Sequence, residues 1–274
     1  MGEHGESDLI LATEHTHLSF SAHSDIGLVR SVNEDSFLAG SPVFLVADGM
    51  GGHARGEVAS QTVVRVFEEH IERDVPSTPE RILDAIHSSN DAVHDLSSAD
   101  DFGSAVAGTT LAGVAIVDAG EGTGLCWMAF NIGDSRVYTW DGHVLRQLSV
   151  DHSAVQAMID AGLLRPEDAE SWPERNVITR AIGLSDHADA DVWLIPIDGR
   201  QTFLICSDGV SNELSLERMT RILAAHETGK TAAQNGGGVT VAEALVAAAL
   251  DHRGRDNLTA IVVGSHSRPI EVLA

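Results

Sequence analysis

The sequence predicts an α+β layered fold. Three observations lead there: short buried runs rich in β-branched residues, amphipathic helical stretches between them, and a grouping of the two that is not a regular alternation. Residues 43–47 (VFLVA), 111–117 (LAGVAIV), 125–130 (LCWMAF), 202–206 (TFLIC) and 258–263 (LTAIVV) read as buried strands bounded by Gly, Asp and Asn. Residues 57–71 read as a helix, because Ala59, Val63, Phe67 and Ile71 recur at steps of four on one face. A second helix spans 79–96, with Thr78 as N-cap, Pro79 at the first helical position and Ile82, Leu83, Ile86 and Val93 as its apolar stripe. A third spans 241–252, where Thr240 and Glu243 have the spacing of a capping box. Gly236, Gly237 and Gly238 mark a loop just before it.

The chain is long enough for one large domain, and 18–266 reads as that domain. Residues 1–17 read as a polar, His-rich N-terminal extension whose His15 and His17 sit at the surface, and 267–274 as a short tail. The formal net charge is −24, from 41 acidic and 17 basic side chains. A basic surface able to neutralise a row of phosphates is hard to assemble from that, so nucleic acid is not an expected partner. No run of about 18 apolar residues exists to span a membrane. MGEHGESDLI lacks a signal-peptide core, and Glu6 stands where a myristoylation signal wants Ser or Thr. Cys126 and Cys206 both lie in apolar stretches and read as buried free thiols, which fits a soluble protein of the reducing cytoplasm. Neither opens a Cys-x5-Arg loop, since Ile132 and Asn212 stand six residues on, so a cysteine-nucleophile phosphatase is disfavoured.

The chemistry is carried by a repeated device, a buried strand followed at once by Asp-Gly. It occurs as VFLVA-Asp48-Gly49 and as TFLICS-Asp208-Gly209. A strand end holds a carboxylate rigidly at the rim of a sheet, and glycine lets the backbone turn away. Asp256 precedes the LTAIVV strand, Glu34 and Asp35 form an acidic pair, and Asp134 follows another apolar strand. One Asp-Gly alone reads as a turn; so many hard oxygen donors together suit Mg²⁺ or Mn²⁺.

Eight stretches resemble, in order and over nearly the whole chain, the metal-dependent protein phosphatases of the type-2C class, the bacterial form above all. They are SDIGLVRSVNEDSF (24–37), LVADGMGGHARGEVAS (45–60), GTTL (108–111), NIGDSRVY (131–138), LSVDHS (148–153), VITRAIG (177–183), LICSDGVSN (204–212) and RDNLTAIVV (255–263). The resemblance implies a sandwich of two antiparallel β-sheets with helices on both outer faces. It implies a protein serine/threonine phosphatase whose substrates are phosphorylated proteins, the products of Ser/Thr kinases. Asp48 would bridge two Mn²⁺ or Mg²⁺ ions, with the Gly49 carbonyl on one and Asp208 and Asp256 on the other. Glu34 and Asp35 would act through metal-bound water. Arg30 would grip the phosphate, a task for which a guanidinium fork is suited. Asn257 would help order the site, and Asp134 would share a weaker third ion with Asp208. Two ions about 3.5–4 Å apart can share a water, lower its pKa and aim it at phosphorus, so direct attack without a phosphoenzyme is expected.

The sequence departs from part of that family at the proton donor, because Met50 stands where some relatives place a histidine. His53, His152 and metal-bound water are the remaining candidates. Residues 153–178 resemble the flap that borders the active site. Two other readings are a catalytically weak phosphoprotein-binding relative and a hydrolase of small phosphoesters. The full set of carboxylates disfavours the first, and the lack of a Gly-x4-Gly-Lys loop argues against a nucleotide substrate for the second.

Overall fold

A computed structural model describes residues 2–11, 14–51, 54–98, 107–120, 124–227 and 239–269. The strands are β1 (Gly2–Leu11), β2 (Glu14–Asp25), β3 (Asp35–Gly40), β4 (Val43–Met50), β5 (Gly108–Thr109), β6 (Leu111–Asp118), β7 (Leu125–Ile132), β8 (Arg136–Trp140), β9 (Leu145–Gln147), β10 (Asp191–Pro196), β11 (Arg200–Cys206) and β12 (Leu258–Pro269). The helices are α1 (Ala54–His70), α2 (Pro79–Ser98), α3 (Ala154–Asp160), α4 (Asp208–Glu213), α5 (Leu216–Glu227) and α6 (Val241–His252), with a 3₁₀ turn at Pro166–Ser171.

The strands make two sheets with antiparallel ladders. The first has the order β1-β2-β12-β11-β8-β9, and the second β10-β7-β6-β4-β3, with β5 paired to the end of β4. Strand alternation divides the apolar residues into three layers. On β4, Phe44 and Val46 face the other sheet, where together with Trp127 of β7 they meet Phe203, Ile261 and Val263. Val43, Leu45 and Ala47 face outward onto Val63 and Phe67 of α1 and Ile82 and Ile86 of α2. On the far side, Leu204, Ala260 and Val262 of the first sheet pack against Met219 and Leu223 of α5 and Leu245, Val246 and Ala249 of α6. The chain is therefore the sandwich with helices on both outer faces.

The local signals act as read. Thr78 Oγ1 accepts from Arg81 N at 3.3 Å at the start of α2. Thr240 and Glu243 form the reciprocal capping box of α6. Both cysteines are buried and free, and burial pushes the Cys206 thiol up to about 12. The N-terminal residues differ from a loose lead-in. Gly2–Leu11 pairs with β2, and β2 runs beside β12 from Asp25↔Leu258 to Glu14↔Pro269. Leu18 and Ala22 drive this, because they enter the layer between the sheets while Ser19 and Ser21 alternate to the outer face. The other end of the chain is also paired beyond 266, through Pro269. Among the described residues no helix is long and apolar enough to cross a membrane.

Candidate metal centre

The loop between β2 and β3 carries Arg30 and Glu34, and it is pinned by one buried side chain. Asn257 Oδ1 accepts from Glu34 N at 2.8 Å, while its Nδ2 donates to Ile26 O at 2.9 Å and Val32 O at 3.0 Å. Leu28 N adds a bond to Gly254 O at 2.7 Å. Gly27 has φ +80°, and a Cβ there would also strike the Asp256 carbonyl. The Arg30 guanidinium so held donates to Asp256 Oδ2 at 2.8 Å and lies 4.0 Å from Glu34 Oε2.

Asp35 and Asp48 face each other across β3 and β4. The expected strand end at residue 47 is not where β4 stops; the strand continues through Asp48 and Gly49 to Met50. Two threonines of the GTTL stretch hold it there. Asp48 N donates to Thr110 Oγ1 at 3.0 Å, and Asp48 O accepts from Thr110 N and Thr109 Oγ1, each at 2.9 Å. Gly49 is thus needed for close approach rather than for a turn. A Cβ on it would collide with the Gly56 carbonyl of α1.

Asp208 opens α4 directly after β11, and Asn212 Nδ2 donates to its Oδ2 at 3.0 Å. Gly209 repeats the device of Gly49, since its Cβ would collide with the Asn257 carbonyl. Asp134 follows Gly133, which takes φ +107° in the turn between β7 and β8.

These elements meet around one cleft of about 440 Å³. Arg30, Glu34, Asp48 and Gly49 line it together with Asp134, Asp208, Asp256 and Asn257. Asp35 and His152 are absent from that lining, and His53 lies outside the described residues. Asp35 sits behind the cleft, where its Oδ2 accepts from Ser207 Oγ at 2.8 Å and Thr259 Oγ1 at 2.7 Å. A larger cavity of about 650 Å³ lies on the outer face of the first sheet, beside His17, Trp140 and His226, and has none of these acids.

The acids are crowded. Burial, then repulsion from Asp35 and Asp208, holds the Asp48 carboxyl well above the usual carboxylate range. Burial pushes Asp35 up to about 7 against the two hydroxyl bonds, and burial with the neighbouring Asp208 pushes Asp134 up to about 7. Asp208 is raised by burial and by Asp256, while a hydrogen bond with the Asp48 side chain opposes the rise. A cluster of this kind favours either protons or cations. Asp35 Oδ1 and Asp134 Oδ1 are buried and make no hydrogen bond within the chain. Uncommitted carboxylate oxygens with no nitrogen or sulfur donor among them fit hard divalent ions such as Mg²⁺ or Mn²⁺. Among the described residues no three His, Cys, Asp or Glu side chains close on one point; the acids ring an open cleft. An open ring suits ions that keep several waters.

Sequence reasoning missed the supporting hydroxyls, Thr109, Thr110, Ser207 and Thr259. It also missed Arg136, whose guanidinium grips Asp151 through Nε and Nη2 at 2.6–3.0 Å beside Asp134. Three of the hydroxyls carried a local signal: Ser207 directly precedes Asp208-Gly209, and GTTL, with Thr109 and Thr110, is polar where it leads into a buried strand.

Residues 29–248 match the family model described as protein phosphatase 2C. The chain belongs to the protein phosphatase 2C family. The matched span includes Arg30, Asp48, Asp134 and Asp208 and ends before Asp256. The serine/threonine protein phosphatase PstP of Mycobacterium tuberculosis is 35% identical over 254 residues, 89% of this chain and 44% of that protein. The chain thus spans less than half the length of that relative. The serine/threonine phosphatase stp of Listeria monocytogenes is 31% identical over 257 residues, covering 88% of this chain and 93% of that one. Among solved structures, the catalytic domain of PstP in complex with two manganese ions superposes with a TM-score of 0.74 at 30% identity, over 92% of this chain and 99% of that one.

Proposed function

We propose that this chain is a metal-dependent protein serine/threonine phosphatase that hydrolyses phosphoserine and phosphothreonine by direct attack of water. The observation that carries the reading is the convergence of Asp48, Asp134, Asp208 and Asp256 on one cleft that the Arg30 guanidinium also lines. When bound, divalent ions supply the charge that lowers the pKa of water and offsets the repulsion between phosphate and carboxylates. Asp48, the Gly49 carbonyl, Asp208 and Asp256 would hold two ions, with Glu34 and Asp35 around them. Asp134, with Asp208, would hold a weaker third. Arg30 binds the phosphate, exchanging its bond to Asp256 for the incoming oxygens. Gly49 and Gly209 keep the carboxylates close by letting backbones touch.

Residues 18–266 form the catalytic domain in this reading, to which 2–17 add paired strand. The substrates are phosphorylated proteins, products of Ser/Thr kinases. The net charge of −24 argues against nucleic acid as a partner, and two buried free thiols favour the cytoplasm. The test is hydrolysis of a phosphothreonine peptide with Mn²⁺, after EDTA, and by Asp208→Asn and Asp256→Asn. Turnover is expected only with metal, and each variant should lose most of it while keeping its fold. Full activity after exhaustive chelation would overturn the proposal.

A further inference from the structure

Of the two histidines that the sequence offers as proton donors, His152 can be judged by what its ring touches. It meets Gly133 twice. His152 N donates to Gly133 O at 2.9 Å, and Gly133 N donates to His152 Nδ1 at 3.1 Å. A backbone N–H can only donate, so Nδ1 carries a lone pair and the ring proton is on Nε2. Nε2 lies 3.3 Å from Asp191 Oδ2 on β10, an acceptor. Arg180 Nη1 is also 3.3 Å from Nε2, but it too is a donor, and its acceptor is Asp191 Oδ1 at 3.2 Å. Arg180 therefore holds the carboxylate, and the carboxylate holds the imidazole. The ring is 6% exposed and stands outside the lining of the cleft. Both of its nitrogens are committed, one to the turn and one to Asp191.

We infer that His152 is a positioning residue and not the acid: it fixes the Gly133–Asp134 turn, and through it the direction of the Asp134 carboxylate. The rest of the turn agrees. Asn131 Nδ2 donates to Gly133 O at 3.1 Å and to Val150 O at 3.3 Å, so the same carbonyl is held from both sides. Gly133 keeps φ +107°, and a Cβ there would come within 2.7 Å of Thr110 Cγ2. The line Arg180–Asp191–His152–Gly133 thus ties the edge strand of the second sheet to an acid of the cleft. Outer partners of this kind orient ligands.

The kinetic consequence rests on the proposed phosphatase activity; the tautomer does not. His152→Asn sets an oxygen where Nδ1 stood, so it restores the acceptor for Gly133 N–H and has no proton to give. His152→Ala removes the acceptor. In the metal-free protein, ¹⁵N chemical shifts should report an unprotonated Nδ1. Exchange of the Gly133 amide should stay slow in the wild type and His152→Asn and become fast in His152→Ala. With Mn²⁺, His152→Ala should lose about 10- to 100-fold in rate and need more metal, whereas His152→Asn should keep the rate within a few-fold and the same pH profile. If both variants lose the rate equally and lose the same limb of the pH profile, His152 is the acid and the inference fails. A protonated Nδ1 in the wild type overturns it as well. Absence of metal-dependent turnover in the wild type would refute the phosphatase reading, while the metal-free measurements would still decide this one. Should His152→Ala not fold, His152→Asn and the wild-type shifts are sufficient.

Discussion

Asn257→Ala removes three side-chain hydrogen bonds, to Glu34 N, Ile26 O and Val32 O. Each is worth about 1 kcal/mol net, and a buried backbone group left without a partner costs about 1–3 kcal/mol. Asn257 is buried, but the loop that it holds is at the surface, where water can reach Ile26 and Val32. The lower figure therefore applies to those two bonds, and with about 1–3 kcal/mol for Glu34 N the expected loss is about 3–5 kcal/mol. Against a domain stability of about 5–15 kcal/mol this is readily measured as a lower urea midpoint with unchanged slope. The same loop carries Arg30 and Glu34, so kcat/KM on an aryl phosphate with saturating Mn²⁺ should fall by about 10- to 100-fold. Asn257→Asp is the control. It can still accept from Glu34 N but cannot donate to either carbonyl, and it turns an acceptor toward both of them, so it should lose at least the about 2 kcal/mol of those two bonds. A destabilisation below about 1 kcal/mol with unaltered kcat/KM would refute the claim that Asn257 organises the loop.

Arg30→Ala should lower kcat/KM by about 10- to 150-fold, the value of one charged hydrogen bond to phosphate, while calorimetry still finds metal bound; an unchanged kcat/KM rules the role out. Asp134→Ala should lower kcat and shift its dependence on Mn²⁺ at high concentration while the tighter ions stay in place; identical rate and titration curves would make Asp134 a turn residue only. Gly209→Ala drives a Cβ into the Asn257 carbonyl, which cannot swing aside as a side chain would. It should cost at least about 1–3 kcal/mol in denaturant unfolding, and a neutral effect would contradict the close approach.

Strands buried on both faces were legible because burial leaves a continuous apolar run. The segments 43–47, 111–117, 125–130, 202–206 and 258–263 all fall within strands of the core. Edge and half-covered strands were not. β10 alternates in exposure along DVWLIP, and β1 is polar over GEHGES. β2 has an apolar inner face, but its outer face is built of Ser and His, with Ser21 Oγ accepting from Ala242 N at the start of α6. The carboxylates were legible because motif and strand lie together in sequence. The reason for the glycines was not: close approach of Gly49 to α1 and of Gly209 to Asn257 is a property of packing between distant segments. The hydroxyls were hidden for the same reason, as Thr259 reaches Asp35 across 224 residues of chain.

That reach has a mechanical meaning. Asp35 is on the second sheet, and the hydroxyls that grip it come from the side of the first: Thr259 stands on β12 and Ser207 directly follows β11. A second polar tie, Trp127 Nε1 to Ser265 Oγ at 3.1 Å, joins the same two sheets further along β12. The same Trp127 lies in a row with Phe44 and Phe203, the rings of Phe44 and Trp127 being 6.4 Å apart and those of Trp127 and Phe203 5.1 Å. This aromatic layer sets the gap between the sheets, as a spacer sets the jaws of a clamp. The distance from Asp48 to Asp208 is a distance between jaws. A substitution that thins the spacer acts on the cleft by tilting one jaw against the other, without touching any residue there. Tolerance to change in the aromatic layer should therefore be limited by the cleft's need for a fixed gap before it is limited by the stability of the fold.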